Sequence, residues 1–342
     1  MERQQWKWLL ISISFSVLVL GIVLLFTIND QTIDSLKKIN PLFLLLAFLA
    51  HMLTMCFWAL RVKLMTNSLG YRIGFFYSLN LVFANLLVAA ITPSQAGGEP
   101  VRIHELYKAH VPLGDATAIV IMERVLDGVM LAILAAFAMI VLNREWRSLG
   151  ETSNILLYIT LVFITGCLIL FVIFAARPHI LKGAMIRGAR FFTKHWEPER
   201  FHKLTVRINA EVDNFNGALR KFVRSAKGGV LWGLFFTMLY WVTECVTASL
   251  ILVGLGQPPL IFESFVINLV LAILMMIPLT PGSSGIAEVG ATSMYALFLP
   301  SAILGIFVVI WRFVLYYFNI ALGLFSSVLI VRREAASGKP PF

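Results

Sequence analysis

Residues 86–105 read LLVAAITPSQAGGEPVRIHE. An apolar run that begins near residue 75 stops at Thr92-Pro93, and Gly, Gln, Glu and Arg follow where a membrane helix would be finishing. Proline removes a backbone donor and breaks a helix, while glycine permits turns that other residues avoid. The stretch is therefore a break within apolar sequence. Its meaning depends on whether the chain contains another like it.

It does. Residues 275–291 read MMIPLTPGSSGIAEVGA, which sets Thr280-Pro281 under Thr92-Pro93 at an offset of 188 and places Glu99 and Glu288 seven and eight residues beyond their threonines. The same offset, without a gap, sets AIVIMERVLD (118–127) over IFVVIWRFVL (306–315), so that Arg124 falls on Arg312. A polar tip followed by an arginine within an apolar span occurs twice. This pattern resembles the inverted repeats of transporters, in which broken half-helices meet near the midplane and bind substrate there.

Composition sets the medium. The chain has 342 residues, 59% of them hydrophobic and 13% charged, with a mean hydropathy of +0.85, too apolar to present an ordinary water-facing surface. Runs long enough to span a bilayer occupy 7–28, 41–60, 116–142, 155–176, 229–254 and 301–331. The first follows Arg3 and Lys7 with no cleavage pattern after it, so it is expected to be a retained helix and not a signal peptide. Runs 75–92 and 263–279 each end at a Thr-Pro and a glycine-rich tip.

The charges orient the chain. The N-terminus, the loop near Arg61, Lys63 and Arg72, the segment 177–227 and the tail (Arg332, Arg333, Lys339) are basic, and basic loops face the cytoplasm. Loops 29–40 and 143–154 balance two positive against two negative charges, which suits the other face. Parity then requires 75–115 to enter and leave on the cytoplasmic side and 255–300 on the outer side. The expected fold is an all-α polytopic membrane protein of about six full spans plus two oppositely oriented re-entrant helical hairpins, eight apolar segments in an inverted repeat. The expected organisation is one transmembrane domain over 1–342. Its first half, 1–176, carries a hairpin near 75–112; a basic connector covers 177–228; the second half, 229–342, carries a hairpin near 263–299. Both termini are expected in the cytoplasm of a cell-membrane protein.

The net charge of +10 is concentrated between Arg177 and Lys227, where twelve Lys or Arg face four Asp or Glu. That suits anionic lipid headgroups, and no basic-aromatic module for nucleic acid accompanies it. Leu204, Ile208, Val212, Phe215, Leu219 and Phe222 recur at helical spacing here, so an amphipathic helix along the cytoplasmic interface is expected. Cys56, Cys167 and Cys245 stand singly in apolar runs, and no HExxH, Walker loop or GxSxG occurs, so no cofactor, metal site or soluble-enzyme chemistry is expected.

An arginine within a span costs roughly 2.5–3.5 kcal/mol on insertion scales. Arg124 and Arg312 therefore either form ion pairs, with Glu123, Asp127 and Glu244 as the available acids, or clamp an anionic group such as phosphate, for which the guanidinium fork is well shaped. Glu99 and Glu288 are expected to cap half-helices and to pair with the arginines; coupling to a proton or cation is the sharper alternative. Gly97, Gly98, Gly282 and Gly285 would permit positive φ and close approach of backbone to a ligand. Arg102, His104, Glu105 and Lys108 are expected to line a cytoplasmic mouth. His51 is expected to be a packing residue, and Glu244 to find an arginine from a span that follows a hairpin.

The stretches TPSQAGGEPVR (92–102), ATAIVIMERVLDGV (116–129) and PLTPGSSGIAE (278–288) together resemble the flippase-like integral membrane proteins related to the transmembrane domain of lysylphosphatidylglycerol synthase, the UPF0104 type. The resemblance holds in order and spacing over essentially the whole chain. It implies a lipid-translocating domain and points at Glu99, Arg102, Glu123, Arg124, Asp127, Pro281, Gly282, Gly285 and Glu288. The chain ends eleven residues after Val331, so the lysine-adding synthase domain of the family's namesake is expected to be absent and a lysyl-lipid substrate becomes doubtful. Three readings of function stand at this point. The first is a non-enzymatic transporter of a phospholipid or polyprenyl-phosphate headgroup. The second is a membrane-embedded enzyme on lipid phosphates or lipid-linked sugars, using Glu123, Asp127 or the tip carboxylates. The third is a scaffold for a synthase or glycosyltransferase partner.

Overall fold

The structure, a computed structural model, describes residues 3–29, 32, 36–37, 39–92, 95, 97–141, 162, 165–166, 168–170, 172–173, 177–192, 198–224, 226–275, 280 and 282–336. Among them the chain is helical without strands, in the order α1 (Arg3–Thr27), α2 (Pro41–Ser68), α3 (Phe75–Ile91), α4 (Gly98–Lys108), α5 (Leu113–Val141), α6 (Pro178–Phe192), α7 (Pro198–Arg224), α8 (Lys227–Gly254), α9 (Ile261–Leu274), α10 (Ile286–Tyr295), α11 (Ser301–Arg312) and α12 (Phe318–Ala336). A π turn over Phe313–Tyr317 joins α11 to α12. The expected loop 143–154, most of the expected span 155–176, Cys167, Pro93, Pro281 and Lys339 lie outside the described residues.

Local chemistry sets the helix boundaries. Asn40 caps α2 by accepting from the Leu42 amide at 3.0 Å, and Pro41 occupies the first turn, where its missing N–H costs nothing. Thr92 ends α3, and its hydroxyl accepts from the Gly97 amide at 2.9 Å across the tip that leads into α4. Gly285, at φ +84, opens α10, where the Glu288 carboxylate reaches back to the Gly285 amide at 2.6 Å. The two broken segments are therefore α3–tip–α4 and α9–tip–α10.

Among the described residues four helices are long and apolar enough to cross a membrane: Leu10–Thr27, Pro41–Ser68, Lys227–Gly254 and Ser301–Ile330. They coincide with four of the six expected spans. Residues 116–141 of the expected span 116–142 lie in α5, which starts three residues earlier, and residue 142 lies outside the described residues. One boundary is corrected: the span expected at 41–60 continues to Ser68, so Arg61 and Lys63 are helical and not in a cytoplasmic loop. Arg61 is only 2% exposed and remains inside because acidic side chains of α5 neutralise it. Outward, Leu25, Phe26, Phe76 and Leu231 are strongly exposed, as lipid-facing side chains are.

Packing divides the bundle in two. One core gathers Trp58, Met65, Leu81, Ile119, Leu126, Leu219 and Phe222 from α2, α3, α5 and α7. The other gathers Leu20, Ile251, Leu271, Tyr295, Phe307 and Trp311 from α1 and α8–α11. A small cluster of Leu87, Ala90, Ile91, Tyr316 and Ile320 joins α3 to the π turn and α12. The helix expected from the spacing in 204–222 forms, as part of α7. Phe215, Leu219 and Phe222 are buried in the first core, and Val212, also buried, lines with Leu204 and Ile208 a cavity of about 510 Å³ whose other wall includes Leu113, Thr117 and Ile121 of α5. The C-terminal part of that face is thus packed against the protein.

Close contact between α3 and α12 depends on a missing side chain. A Cβ on Gly323 would fall 2.5 Å from the Leu87 Cβ and 2.7 Å from the Phe83 carbonyl oxygen. Gly323→Ala is expected to destabilise the protein by ~1–3 kcal/mol. Gly217→Ala on α7, where nothing lies within 4 Å, is expected to stabilise by about 0.5–1 kcal/mol. Thermal unfolding in detergent, followed by circular dichroism, checks both signs.

Candidate functional site

The two tips meet. The Gly282 amide of the second donates to the Thr92 carbonyl of the first at 3.0 Å. Gly282 lies at φ +59, and a Cβ there would sit 2.5 Å from the Ala90 carbonyl oxygen, so both its dihedral and the approach of the two backbones require glycine. Ser12 of α1 closes the junction, donating to the Ala90 carbonyl at 2.9 Å and bonding the Tyr316 hydroxyl at 2.5 Å. Irregular backbone thus sits where protein surrounds it and supplies partners.

Behind each tip a glutamate meets the arginine that the repeat assigns to it. At the first, Glu99 Oε1 accepts from Arg124 Nε at 2.9 Å and lies 2.7 Å from Nη2. At the second, Glu288 Oε1 accepts from Arg312 Nε at 2.8 Å. Glu288 also caps α10 and accepts from Ser16 of α1, so capping and pairing both hold there. Glu99 pairs without an N-cap bond. The surroundings differ sharply. The Glu99 and Arg124 side chains are 31% and 49% exposed, whereas those of Glu288 and Arg312 are 0% and 4%.

The first pair borders a larger ionic cluster. Arg61 of α2 bonds Glu123 Oε1 at 3.0 Å through Nε, and through Nη1 Asp127 Oδ1 at 2.5 Å and the Thr237 hydroxyl at 3.1 Å. Arg102 bonds Glu123 Oε2 at 2.6 Å, and the Trp58 indole donates to Glu123 Oε1 at 3.2 Å. Arg124 Nη1 lies 3.4 Å from Asp127 Oδ2. Glu123, which adjoins Arg124 in sequence, thus serves Arg61 and Arg102 and not its neighbour. Buried Arg102 Nε and Nη2 form no hydrogen bond, and Nη2 lies 3.9 Å from Glu99 Oε1. Three cations therefore surround three acids, and one Glu99 oxygen is shared by two guanidinium groups.

Three expectations are corrected. Arg102 does not line a mouth; it is fully buried, drawn in by Glu123. Gly97 has φ −73 and Gly98 is helical, so neither needs positive φ; they are small because a Cβ would fall 2.5 Å from Thr92 Cγ2 and 2.3 Å from Asn85 Oδ1 respectively. Gly282 and Gly285 do have positive φ. Glu244 meets no arginine among the described residues: its Oε2 lies 3.6 Å from His51 Nδ1, and His51 is buried and bonded to Asn319 as a packing histidine is. Among the described residues no three His, Cys, Asp or Glu side chains converge as metal ligands.

Arg61, Trp58, Ser12 and Ser16 were not anticipated from the sequence. The available signal was spacing: His51, Thr54, Trp58 and Arg61 lie at i, i+3, i+7 and i+10, one polar face of a single helix.

Glu123→Ala would leave Arg61 and Arg102 buried without their shared carboxylate, and is expected to cost about 3–5 kcal/mol. Glu99→Ala, at a half-exposed pair, is expected to cost about 1 kcal/mol or less. Denaturation midpoints of the two variants in detergent check the contrast.

Residues 9–323 match the family described as the lysylphosphatidylglycerol synthase TM region. A UPF0104 membrane protein of Archaeoglobus fulgidus is 35% identical over 319 residues, covering 93% of this chain and 95% of that protein. Similar proteins of the same description occur in Methanocaldococcus jannaschii, 24% identical with 89% of each chain covered, and in Pyrococcus horikoshii, 22% identical with 84% of this chain and 86% of that one covered. With two broken helices meeting tip to tip and the match running through both of them, the chain belongs to the family of the lysylphosphatidylglycerol synthase transmembrane region and is a multi-pass membrane protein.

Proposed function

We propose that the protein moves the headgroup of a lipid bearing an anionic phosphate, a phospholipid or polyprenyl phosphate, across the bilayer without hydrolysing ATP and without acting as an enzyme. The observation that carries this reading is the shared Glu99 oxygen, 2.7 Å from Arg124 Nη2 and 3.9 Å from Arg102 Nη2 at a half-exposed position. A phosphate oxygen there would satisfy the same donors. Arg102 Nε and Nη2, buried with no hydrogen bond, are the kind of orphaned charge-assisted donors that an anionic ligand completes.

The two tips are read as re-entrant hairpins from opposite faces, in an inverted repeat. Glu99 and Glu288 act as placeholders that release Arg124 and Arg312 when the headgroup arrives. The open first pair and the closed second pair then represent one end of an alternating cycle. The basic segment 177–228 faces the cytoplasm and anionic headgroups, both termini lie on that side of the cell membrane, and no nucleic acid is involved. A lipid-linked synthase or glycosyltransferase working beside the protein is compatible with this role.

In liposomes carrying a headgroup-labelled phospholipid, Arg124→Ala is expected to slow protein-dependent headgroup movement by about 10–100-fold, the equivalent of one lost charge-assisted bond. Arg124→Lys, which keeps charge without the fork, is expected to fall between. Unchanged movement in Arg124→Ala contradicts the phosphate clamp.

A further inference from the structure

His51 and Glu244 lie inside the bundle, apart from the arginine cluster, and their geometry is short of one proton. Asn319 of α12 donates through Nδ2 to the Leu315 carbonyl at 2.7 Å, a carbonyl within the π turn, which fixes its amide so that Oδ1 faces His51. His51 Nε2 stands 2.9 Å from that oxygen and must donate to it. The other ring nitrogen, Nδ1, faces Glu244 Oε2 at 3.6 Å. Both of those atoms are buried and neither makes a hydrogen bond. With Nε2 already protonated, a bare Nδ1 would set a lone pair against a carboxylate away from water, which is unfavourable for both. A proton between them resolves the conflict, either as imidazolium beside carboxylate or as neutral imidazole beside carboxylic acid.

The pair is connected to the arginine cluster. Along α2, His51, Thr54, Trp58 and Arg61 face α8, where they meet Glu244, Thr243, Tyr240 and Thr237 in turn. The rungs are His51–Glu244 at 3.6 Å, Thr54–Thr243 at 2.8 Å, the Trp58 and Tyr240 rings at 5.9 Å, and Arg61–Thr237 at 3.1 Å. The Arg61 guanidinium also lies 5.8 Å from the Tyr240 ring centroid. Among the described residues the other titratable groups around the pair are Tyr240 and Cys245, both on α8, with Asp127, Arg61 and Arg124 beyond Tyr240.

Resting on the transport reading above, we propose that His51 and Glu244 hold one exchangeable proton between them, and that its gain and loss through the α2–α8 ladder are coupled to the opening of the Arg61, Arg102 and Arg124 cluster. A gradient of one pH unit then biases lipid distribution by up to about tenfold for one proton per headgroup.

Two measurements test the proton site and its coupling separately. In the full chain in lipid nanodiscs with ¹⁵N-labelled histidine, the His51 resonances, assigned by their loss in His51→Gln, are expected to show Nδ1 exchanging a proton in a single step across about pH 5 to 8. Glu244→Gln is expected to shift or abolish that step. A His51 signal that does not change over this range overturns the site, whether or not the protein moves lipid. In vesicles with labelled phospholipid, a pH gradient is expected to raise the wild-type rate several-fold. His51→Gln and Glu244→Gln are expected to keep the gradient-free rate and lose the stimulation. Stimulation retained in both variants, or a response to a sodium gradient in place of pH, overturns the coupling. A titrating His51 in a protein that moves no labelled lipid supports the site and contradicts the transport reading.

Discussion

A guanidinium held away from water must be paired, and among the described residues three are almost wholly buried, Arg61, Arg102 and Arg312. The desolvation cost of each is several kcal/mol and is offset only by close, well-directed acids. That requirement fixes the positions of α2, α4 and α5, because Glu123 on α5 reaches Arg61 on α2 with one oxygen and Arg102 on α4 with the other. It likewise ties α10 to α11 through Glu288 and Arg312, with α1 donating from Ser16. The tips are held by the elements that the ion pairs hold.

Two copies of one chemical motif therefore sit in different environments. A glutamate beyond a Thr-Pro break pairs with an arginine in the span that follows, both at the first tip and at the second. At the second tip α1 lies over the pair: Ser16 bonds Glu288, Tyr317 bonds Ser16 at 2.8 Å, and a Cβ on Gly285 would fall 2.7 Å from the Phe15 ring. The first pair has no equivalent cover among the described residues and stays half exposed. Pairing alone cannot account for the difference in exposure; the covering helix does. Tip contact through Gly282 and Thr92 joins the two environments directly.

The sequence made the breaks legible because Thr-Pro and the following glycines act locally, through a missing donor and permissive dihedrals. It also made the Glu–Arg partnership legible, because two unmatched charges in apolar surroundings seek each other. Arg61 was hidden by the way a hydropathy run is read: the run ends at the first charge, although α2 continues to Ser68 and its charge is neutralised from α5. Arg102 was placed in water for a similar reason, since its neighbours His104 and Lys108 are exposed and only tertiary contact with Glu123 draws it in. The α7 face was legible as amphipathic, but not what covers it, because apolar spacing reads the same against lipid as against α5. The unequal exposure of the two pairs depends on where α1 packs, which no local pattern encodes.

The central claim is that the two Glu–Arg pairs serve opposite faces of the membrane and that only one opens at a time. The most direct measurement uses reporters in protein freed of Cys56, Cys167 and Cys245: Val125→Cys beside Arg124 and Val309→Cys one turn before Arg312, each exposed in sealed vesicles to a membrane-impermeant thiol reagent added to one face. Reaction of the two reporters from opposite faces is predicted, with a lock on either one suppressing the other. Labelling of both from the same face, or of both together in one molecule, would contradict it.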